Sequence, residues 1–282
     1  MTQKTPQIAV IGCGHWGKNH VRNYYELGAL GGIVEPNHEQ AEALRNQYDT
    51  RILTLEDVLE DTEIDGLVIC TPPHTHMDLC LKGLEAGKHV FVEKPLAMSV
   101  EETEKIIAKS QAAGKRVMVG HLLHYHPVFQ KLKQLVHDGE LGSLRYIYSN
   151  RLSMGQIRLV EDVIASFATH DISMIMGLVK QEPQTVEANS AAYMSDDISD
   201  FATLNLSFEN NINAHIFVSW LNPVKEHKLT VIGDKAMAIF NDGEEWEKKL
   251  QIYRHKITRT QTKFEIEKAE PEQVFVEKGE PL

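Results

Sequence analysis

Up to Gly120, short apolar runs alternate with stretches whose apolar residues recur every three or four positions. The runs are Ile8–Ile11, Gly32–Glu35, Arg51–Leu53, Gly66–Cys70, His89–Val92 and Val117–Gly120. Each is the length of a strand buried on both faces. Helical spacing fills the intervals at His15–Glu26, His38–Gln47, Thr75–Ala86 and Val100–Ala113. Strand and helix in alternation predict a parallel sheet wrapped by helices. Ser99 with Glu102 reads as a capping box for the last helix, and Gly87 and Gly114 stand where helix C-caps are expected.

After Gly120 the texture changes. A helix, Val128–His137, leads through Asp138-Gly139 to a strand at Leu144–Leu152, and a second helix is expected over Asp162–Val179. Alternating strands follow at Thr185–Tyr193, Phe201–Phe208, Ile212–Trp220, Lys228–Ile232 and Met237–Phe240. With no long helix among them, they predict a mostly antiparallel sheet with helices on one face. The expected architecture is therefore an α/β domain over residues 1–122 and an α+β domain with an open sheet over 123–282. The alternation in Ile212–Trp220 suggests an uncovered apolar face, hence a homo-oligomer, a dimer or tetramer. The Glu- and Pro-rich tail from Lys268 reads as loosely ordered.

Composition narrows the class. Of 282 residues, 42% are hydrophobic and 24% charged, and the formal net charge is −11. That balance argues against a nucleic-acid surface, whose partner is itself polyanionic, but leaves room for a local basic pocket. No apolar run approaches the roughly 20 residues that span a bilayer. Met-Thr-Gln-Lys-Thr-Pro runs into the first strand without a secretory apolar segment. Cys13, Cys70 and Cys80 have no metal-site spacing, and an odd count without a leader reads as reduced thiols in a cytoplasm. Cys13 reads as a space-filler within the glycine turn.

The first strand hands over to Gly12-Cys13-Gly14-His15-Trp16-Gly17. In such a turn the first glycine allows the tight bend, the second lets backbone approach a pyrophosphate, and the third lets the helix pack on the sheet. The helix N-terminus offers N–H donors and partial positive charge to phosphates. Glu35 ends the second strand roughly 20 residues on, where a carboxylate accepts both adenosine ribose hydroxyls and disfavours a 2′-phosphate. NAD is the implied cofactor, with Gly12, Gly14, His15, Trp16, Gly17 and Glu35 holding it. Thr71, Pro72, His74 and His76 follow the fourth strand, and Glu93-Lys94-Pro95 follows the fifth, both at the edge where such sheets bind ligands.

Glu-Lys-Pro in that place resembles the Gfo/Idh/MocA oxidoreductases, the relatives of glucose–fructose oxidoreductase and inositol dehydrogenase. The resemblance covers essentially the whole chain and implies a Rossmann domain followed by an open-sheet domain. It also implies that Lys94 lies beside the nicotinamide and that the Lys-Pro bond is often cis. Oxidising an alcohol by hydride transfer requires the hydroxyl proton to leave, so a base or relay is needed. A free lysine is protonated at neutral pH, and burial beside a nicotinamide cation would lower its affinity for the proton. Without the resemblance, Lys94 reads as a surface lysine ending a strand.

The partner group falls on Ser166-Phe167-Ala168-Thr169-His170-Asp171-Ile172. By itself His170 reads as a core histidine; the resemblance implies a catalytic one. Ser166 stands where many members carry aspartate, so the candidates are Lys94 and His170, with Asp171 orienting. Ser149–Arg158, Phe167–Asp171 and His215–Leu221 are similar to a nucleotide-sugar branch, the UDP-N-acetylglucosamine and UDP-N-acetylglucosaminuronate 3-dehydrogenases. That branch implies a UDP-linked amino sugar as substrate and a PLP-dependent aminotransferase as pathway partner, for surface polysaccharide or lipid A. Asn150, Arg151 and Arg158 are candidate substrate residues. Either arginine could meet a diphosphate with bidentate bonds or sit in a solvated loop. His121, His124 and His126 crowd one segment; no acid or cysteine accompanies them, so no metal is expected, and His121 and Tyr125 are read as lining the substrate crevice. Relatives usually continue past Pro281-Leu282 with a further helix. A free-sugar or cyclitol dehydrogenase, and a regulatory protein that senses NAD or a sugar, are the alternatives.

Overall fold

The apolar run Ile8–Ile11 forms β1, with its last three residues buried. The structure, a computed structural model, describes residues 4–281. In chain order there follow α1 (Gly17–Glu26), β2 (Leu30–Val34), α2 (His38–Tyr48), α3 (Leu55–Glu60), β3 (Gly66–Ile69), α4 (His76–Glu85), β4 (His89–Val92), α5 (Val100–Ala113) and β5 (Val117–Val119). The five strands are all parallel, in the order β2-β1-β3-β4-β5. Because side chains alternate along each strand, Ala9 and Ile11 pack with Cys80, Leu84 and Ile106 on one face. Val10 packs with Val21, Ile33 and Leu44 on the other.

Two expectations need correcting here. Arg51–Leu53 is not a strand but a single parallel bridge, Ile52 to Ile33. The chain turns away because Thr54 caps α3 in a full capping box with Asp57. At α5 the box is half made. Ser99 accepts the Glu102 N–H at 3.2 Å, but the Glu102 carboxylate takes the Met98 N–H at 2.9 Å. Gly114 closes α5 in the left-handed region at φ 62.

The described chain divides into two compact units, one up to His121 and one from Leu122 to Pro281. The second contains α6 (Pro127–His137), β6 (Leu144–Met154), α7 (Thr169–Val179), β7 (Thr185–Ala191), β8 (Phe201–Ser207), β9 (Asn213–Ser219), β10 (Leu221–Gly233), β11 (Met237–Asn241), β12 (Leu250–Tyr253), β13 (Lys256–Arg259), β14 (Phe264–Glu267) and β15 (Glu272–Gln273). Its main sheet runs β15-β12-β11-β10-β6-β9-β8-β7, and β13 with β14 form a separate ribbon. The main sheet is antiparallel except at its centre, where β6 and β9 are parallel. Ile147, Ile216, Val218 and Val231 project from one face onto Phe129 and Leu132 of α6 and Met174 and Ile175 of α7.

The long helix expected over Asp162–Val179 begins instead as a π-helical turn, Ile164–Ala168, that runs into α7. Such turns add a residue per loop of backbone and are often found at functional sites. The tail past Lys268 is tied in rather than loose. β15 pairs with β12, and the Trp246 indole N–H donates to the Val276 carbonyl at 2.7 Å. Among the described residues, no helix is long and apolar enough to cross a membrane.

Candidate functional site

In the first unit the site is built at the carboxyl ends of β1, β2, β3 and β4. Gly12 turns at φ 81, and a Cβ on Gly17 would lie 1.9 Å from the Gly12 carbonyl oxygen, so only glycine brings α1 this close. A Cβ on Gly14 would meet nothing within 4 Å, which leaves open space over the middle of the turn. No side chain caps α1; the Lys18 and Asn19 N–H groups bond back to the Gly14 and Trp16 carbonyls, and the positive end of the helix is the one that favours phosphate. His15 and Trp16 stand exposed beside this turn, their rings edge-on at 5.9 Å.

Glu35 braces the same turn from β2. Its carboxylate accepts the Cys13 N–H at 2.7 Å and the Asn37 N–H at 2.8 Å. Gln40 adds a hydrogen bond to the Cys13 carbonyl. A carboxylate offers about four acceptor positions, so two remain for ribose hydroxyls. Burial, then the charge of Glu35, pushes the Cys13 thiol up to about 12, which suits its reading as a space-filler.

Thr71 Oγ1 lies 2.6 Å from Thr75 Oγ1, while Pro72 and His74 are exposed on the short turn that opens α4. His76 belongs to a different class from the one expected. It is 0% exposed, with one ring nitrogen 2.7 Å from the Pro95 carbonyl and the other 2.8 Å from the Thr71 carbonyl. It holds two loops together and presents nothing to a cofactor. The Lys94-Pro95 bond is cis, and Lys94 is half-buried. Glu93 also turns inward, accepting from His20 Nε2 at 2.8 Å. His20, one helical turn past Gly17, was missed in the sequence; its spacing from the glycines was the available signal.

In the second unit the functional candidates gather around α7. Asp171 is 1% exposed and binds Arg151 through two contacts, Nε to Oδ2 at 2.6 Å and Nη2 to Oδ1 at 3.2 Å. Ser149 Oγ donates to the same carboxylate at 2.5 Å. Arg151 is thus an internal ion pair rather than an arginine waiting for a diphosphate. The pair ties α7 to β6, and His170, the residue before Asp171, is half-buried. Asn150 faces the opposite side of β6 and donates to Glu226 at 2.8 Å; strand alternation sends it away from Arg151. Arg158 sits in an exposed loop, 3.6 Å from Glu161.

The three crowded histidines diverge. His121 follows β5; His124 Nε2 lies 2.9 Å from the Ser173 carbonyl on α7; His126 caps α6 and stacks on Trp246 at 5.4 Å. Burial lowers the affinity of His124 and His126 for a proton. Tyr125 is 50% exposed between them. Among the described residues, the one His/Cys/Asp/Glu group close enough to hold an ion is His20, Cys70 and Glu93.

These two halves match known proteins. Residues 7–121 match the oxidoreductase family with an NAD-binding Rossmann fold, and residues 129–239 match the GFO/IDH/MocA C-terminal domain. The chain belongs to the Gfo/Idh/MocA oxidoreductase family. It is 30% identical over 214 residues to the UDP-N-acetylglucosamine 3-dehydrogenase of Acidithiobacillus ferrooxidans, 76% of this chain and 66% of that protein. A crystal structure of that enzyme superposes with TM-score 0.83 at 26% identity, covering 98% of this chain and 84% of the other. The inositol 2-dehydrogenase of Rhizobium meliloti is 25% identical over 203 residues, 70% of this chain and 62% of that protein. The matched stretch is therefore about two thirds or less of each curated relative's length. The cofactor is NAD, and the open Gly14, the uncapped α1 and the two remaining Glu35 acceptor positions fit it.

Two measurements follow from the α7 cluster. Asp171→Asn strands a buried guanidinium and is expected to cost about 3–5 kcal/mol in denaturant unfolding. Pairing Asp171→Leu with Arg151→Met should recover most of that loss. Burial, then the charges of Arg151 and Lys225, lowers His227 to about 4, against weaker opposition from Asp242 and Asp171. The unfolded imidazole titrates near 6.5, so below that pH the unfolded chain binds a proton the folded one refuses. Stability from this group is complete above about pH 6.5 and declines as pH falls toward 4. Thermal melts between pH 7 and 5 should show that decline, and His227→Gln should flatten it.

Proposed function

We propose that this chain is an NAD-dependent dehydrogenase that oxidises the 3-hydroxyl of UDP-N-acetylglucosamine to the 3-keto sugar. The observation that carries the reading is the Glu93-Lys94-Pro95 turn beside the dinucleotide loop, joined to a relative of that activity at 30% identity over 76% of the chain. NAD supplies the hydride acceptor. Gly12, Gly14, Gly17 and Glu35 hold it, with His15, Trp16, Thr71, Pro72 and His74 around it. Lys94 and His170 are the candidates for accepting the one hydroxyl proton that must leave as the C–H bond gives up its hydride, so that the carbonyl forms neutral. Asp171 orients α7 through Arg151, and Arg158, His121 and Tyr125 are the remaining candidates for contact with the sugar nucleotide. A PLP-dependent aminotransferase consumes the ketone, in a route to a diamino-sugar lipid A or surface polysaccharide.

A second reading, a cyclitol or free-sugar dehydrogenase, is supported by the inositol 2-dehydrogenase relative. The uronate form of the nucleotide sugar is a third substrate to test. NADH formation at 340 nm separates them when UDP-N-acetylglucosamine, UDP-N-acetylglucosaminuronate and myo-inositol are supplied in parallel. A coupled aminotransferase and glutamate should be present to draw off the ketone. Turnover of UDP-N-acetylglucosamine is expected; turnover of myo-inositol alone would replace the proposal, and NAD binding without any turnover would favour a sensor. Lys94→Ala should abolish turnover and leave NAD affinity nearly intact in calorimetry.

We also read the outer face of the large sheet as an interface between copies of the chain. Tyr146 and Tyr148 stack there at 6.3 Å, and Phe201 meets Phe217 edge-on at 5.4 Å. Light scattering should give a multiple of 31.9 kDa; a clean monomer would remove this reading.

A further inference from the structure

His20 lies on α1 at 3% exposure, one turn past the glycine that seats the helix against the turn. Its ring is fixed from two sides, edge-on to Phe91 at 5.0 Å and stacked near Tyr24 at 6.4 Å. Its Nε2 reaches across to β4 and donates to Glu93 Oε1 at 2.8 Å. The Glu93 side chain is largely buried. A Cβ added to Gly120 would come within 3.0 Å of it, and the Cys70 sulfur lies within 4.8 Å of both polar groups. Burial, then the charge of Glu93, pushes the Cys70 thiol well above its usual range. The hydrogen bond recorded within the trio is the one between His20 and Glu93.

The backbone from Glu93 runs directly into Lys94 and cis Pro95. The hydrogen bond to His20 therefore tethers the residue immediately before Lys94. Nothing in this arrangement brings His20 to a reacting atom; its hydrogen bond ends on a carboxylate. We propose that His20 is a positioning residue: acting through Glu93, it fixes the turn that carries Lys94 to the helix that receives the dinucleotide phosphates. This rests on Lys94 as the proton-handling group of the proposed dehydrogenase. Loss of the bond should disturb Lys94 while leaving the glycine turn, and hence cofactor affinity, in place.

The experiment compares His20→Phe, which keeps the ring packing and removes the donor, with His20→Gln, which keeps a donor. NAD affinity is measured by calorimetry. The environment of Lys94 is read from its acetylation rate by acetic anhydride, followed by mass spectrometry of its peptide. In His20→Phe, NAD affinity should stay near the wild-type value while Lys94 labelling changes by about tenfold, the size of losing one hydrogen bond to a charged group. His20→Gln should restore most of the wild-type labelling. From the other side of the bond, Glu93→Ala should copy His20→Phe, and Glu93→Gln, which keeps an acceptor, should resemble wild type. Oxidation of UDP-N-acetylglucosamine should lose kcat at nearly constant KM. Unchanged Lys94 labelling in both His20→Phe and Glu93→Ala would overturn the proposal. A wild-type chain inert toward UDP-N-acetylglucosamine would count against the substrate alone, because the labelling comparison needs no substrate.

Discussion

The closest approach in the first unit, α1 against the Gly12 turn, sets the terms for everything around it. With 1.9 Å between the Gly12 oxygen and where a Gly17 Cβ would be, the helix has one seating. That seating points its uncapped N-terminus past the open Gly14 and brings His20 to Glu93. Glu35 stiffens the arrangement from below by accepting the Cys13 N–H. The ends of β1, β2 and β4 thus present the glycine turn, the Glu35 carboxylate and Lys94 from a scaffold with little freedom to readjust, and catalysis depends on that kind of fixed placement.

The second unit adds charge to the close packing of α7 on its sheet. The α-helical ladder of α7 begins only at Thr169, after the π turn of Ile164–Ala168. The Asp171–Arg151–Ser149 cluster holds its first turn from the sheet side. Such a buried pair contributes little net stability over an apolar replacement. Its value here is in direction, since it joins α7 to β6 through hydrogen bonds between named atoms.

Much of this architecture was legible in the apolar pattern. The bounds of α5 and the core-facing alternation of β8 and β9 are visible in the amino acids themselves, because each reports a local period. What the pattern could not carry was partner identity. β6 reads as a strand, but nothing in Leu144–Leu152 announces a parallel neighbour. Arg151 and Asn150 look alike as polar residues in a strand, yet one pairs internally with a helix and the other faces out. His76 looks like a ligand in a loop, and becomes a bridge only once the Pro95 and Thr71 carbonyls are brought together. The ribbon of β13 and β14 escaped because its strands are short and exposed throughout.

The parallel pairing of β6 with β9 also shapes how the chain is made. As synthesis proceeds, β6 emerges early in the second unit, yet both its neighbours, β9 and β10, come only after α7 and two further strands. Until residue 233 has left the ribosome, the central strand of the sheet is an open edge whose inner side carries Ile147, Ser149 and Arg151. Nascent chains stalled in that interval present a template for pairing with one another. The first unit has every strand of its sheet by Val119 and can close before that interval begins, so the hazard of misassembly is concentrated in the second.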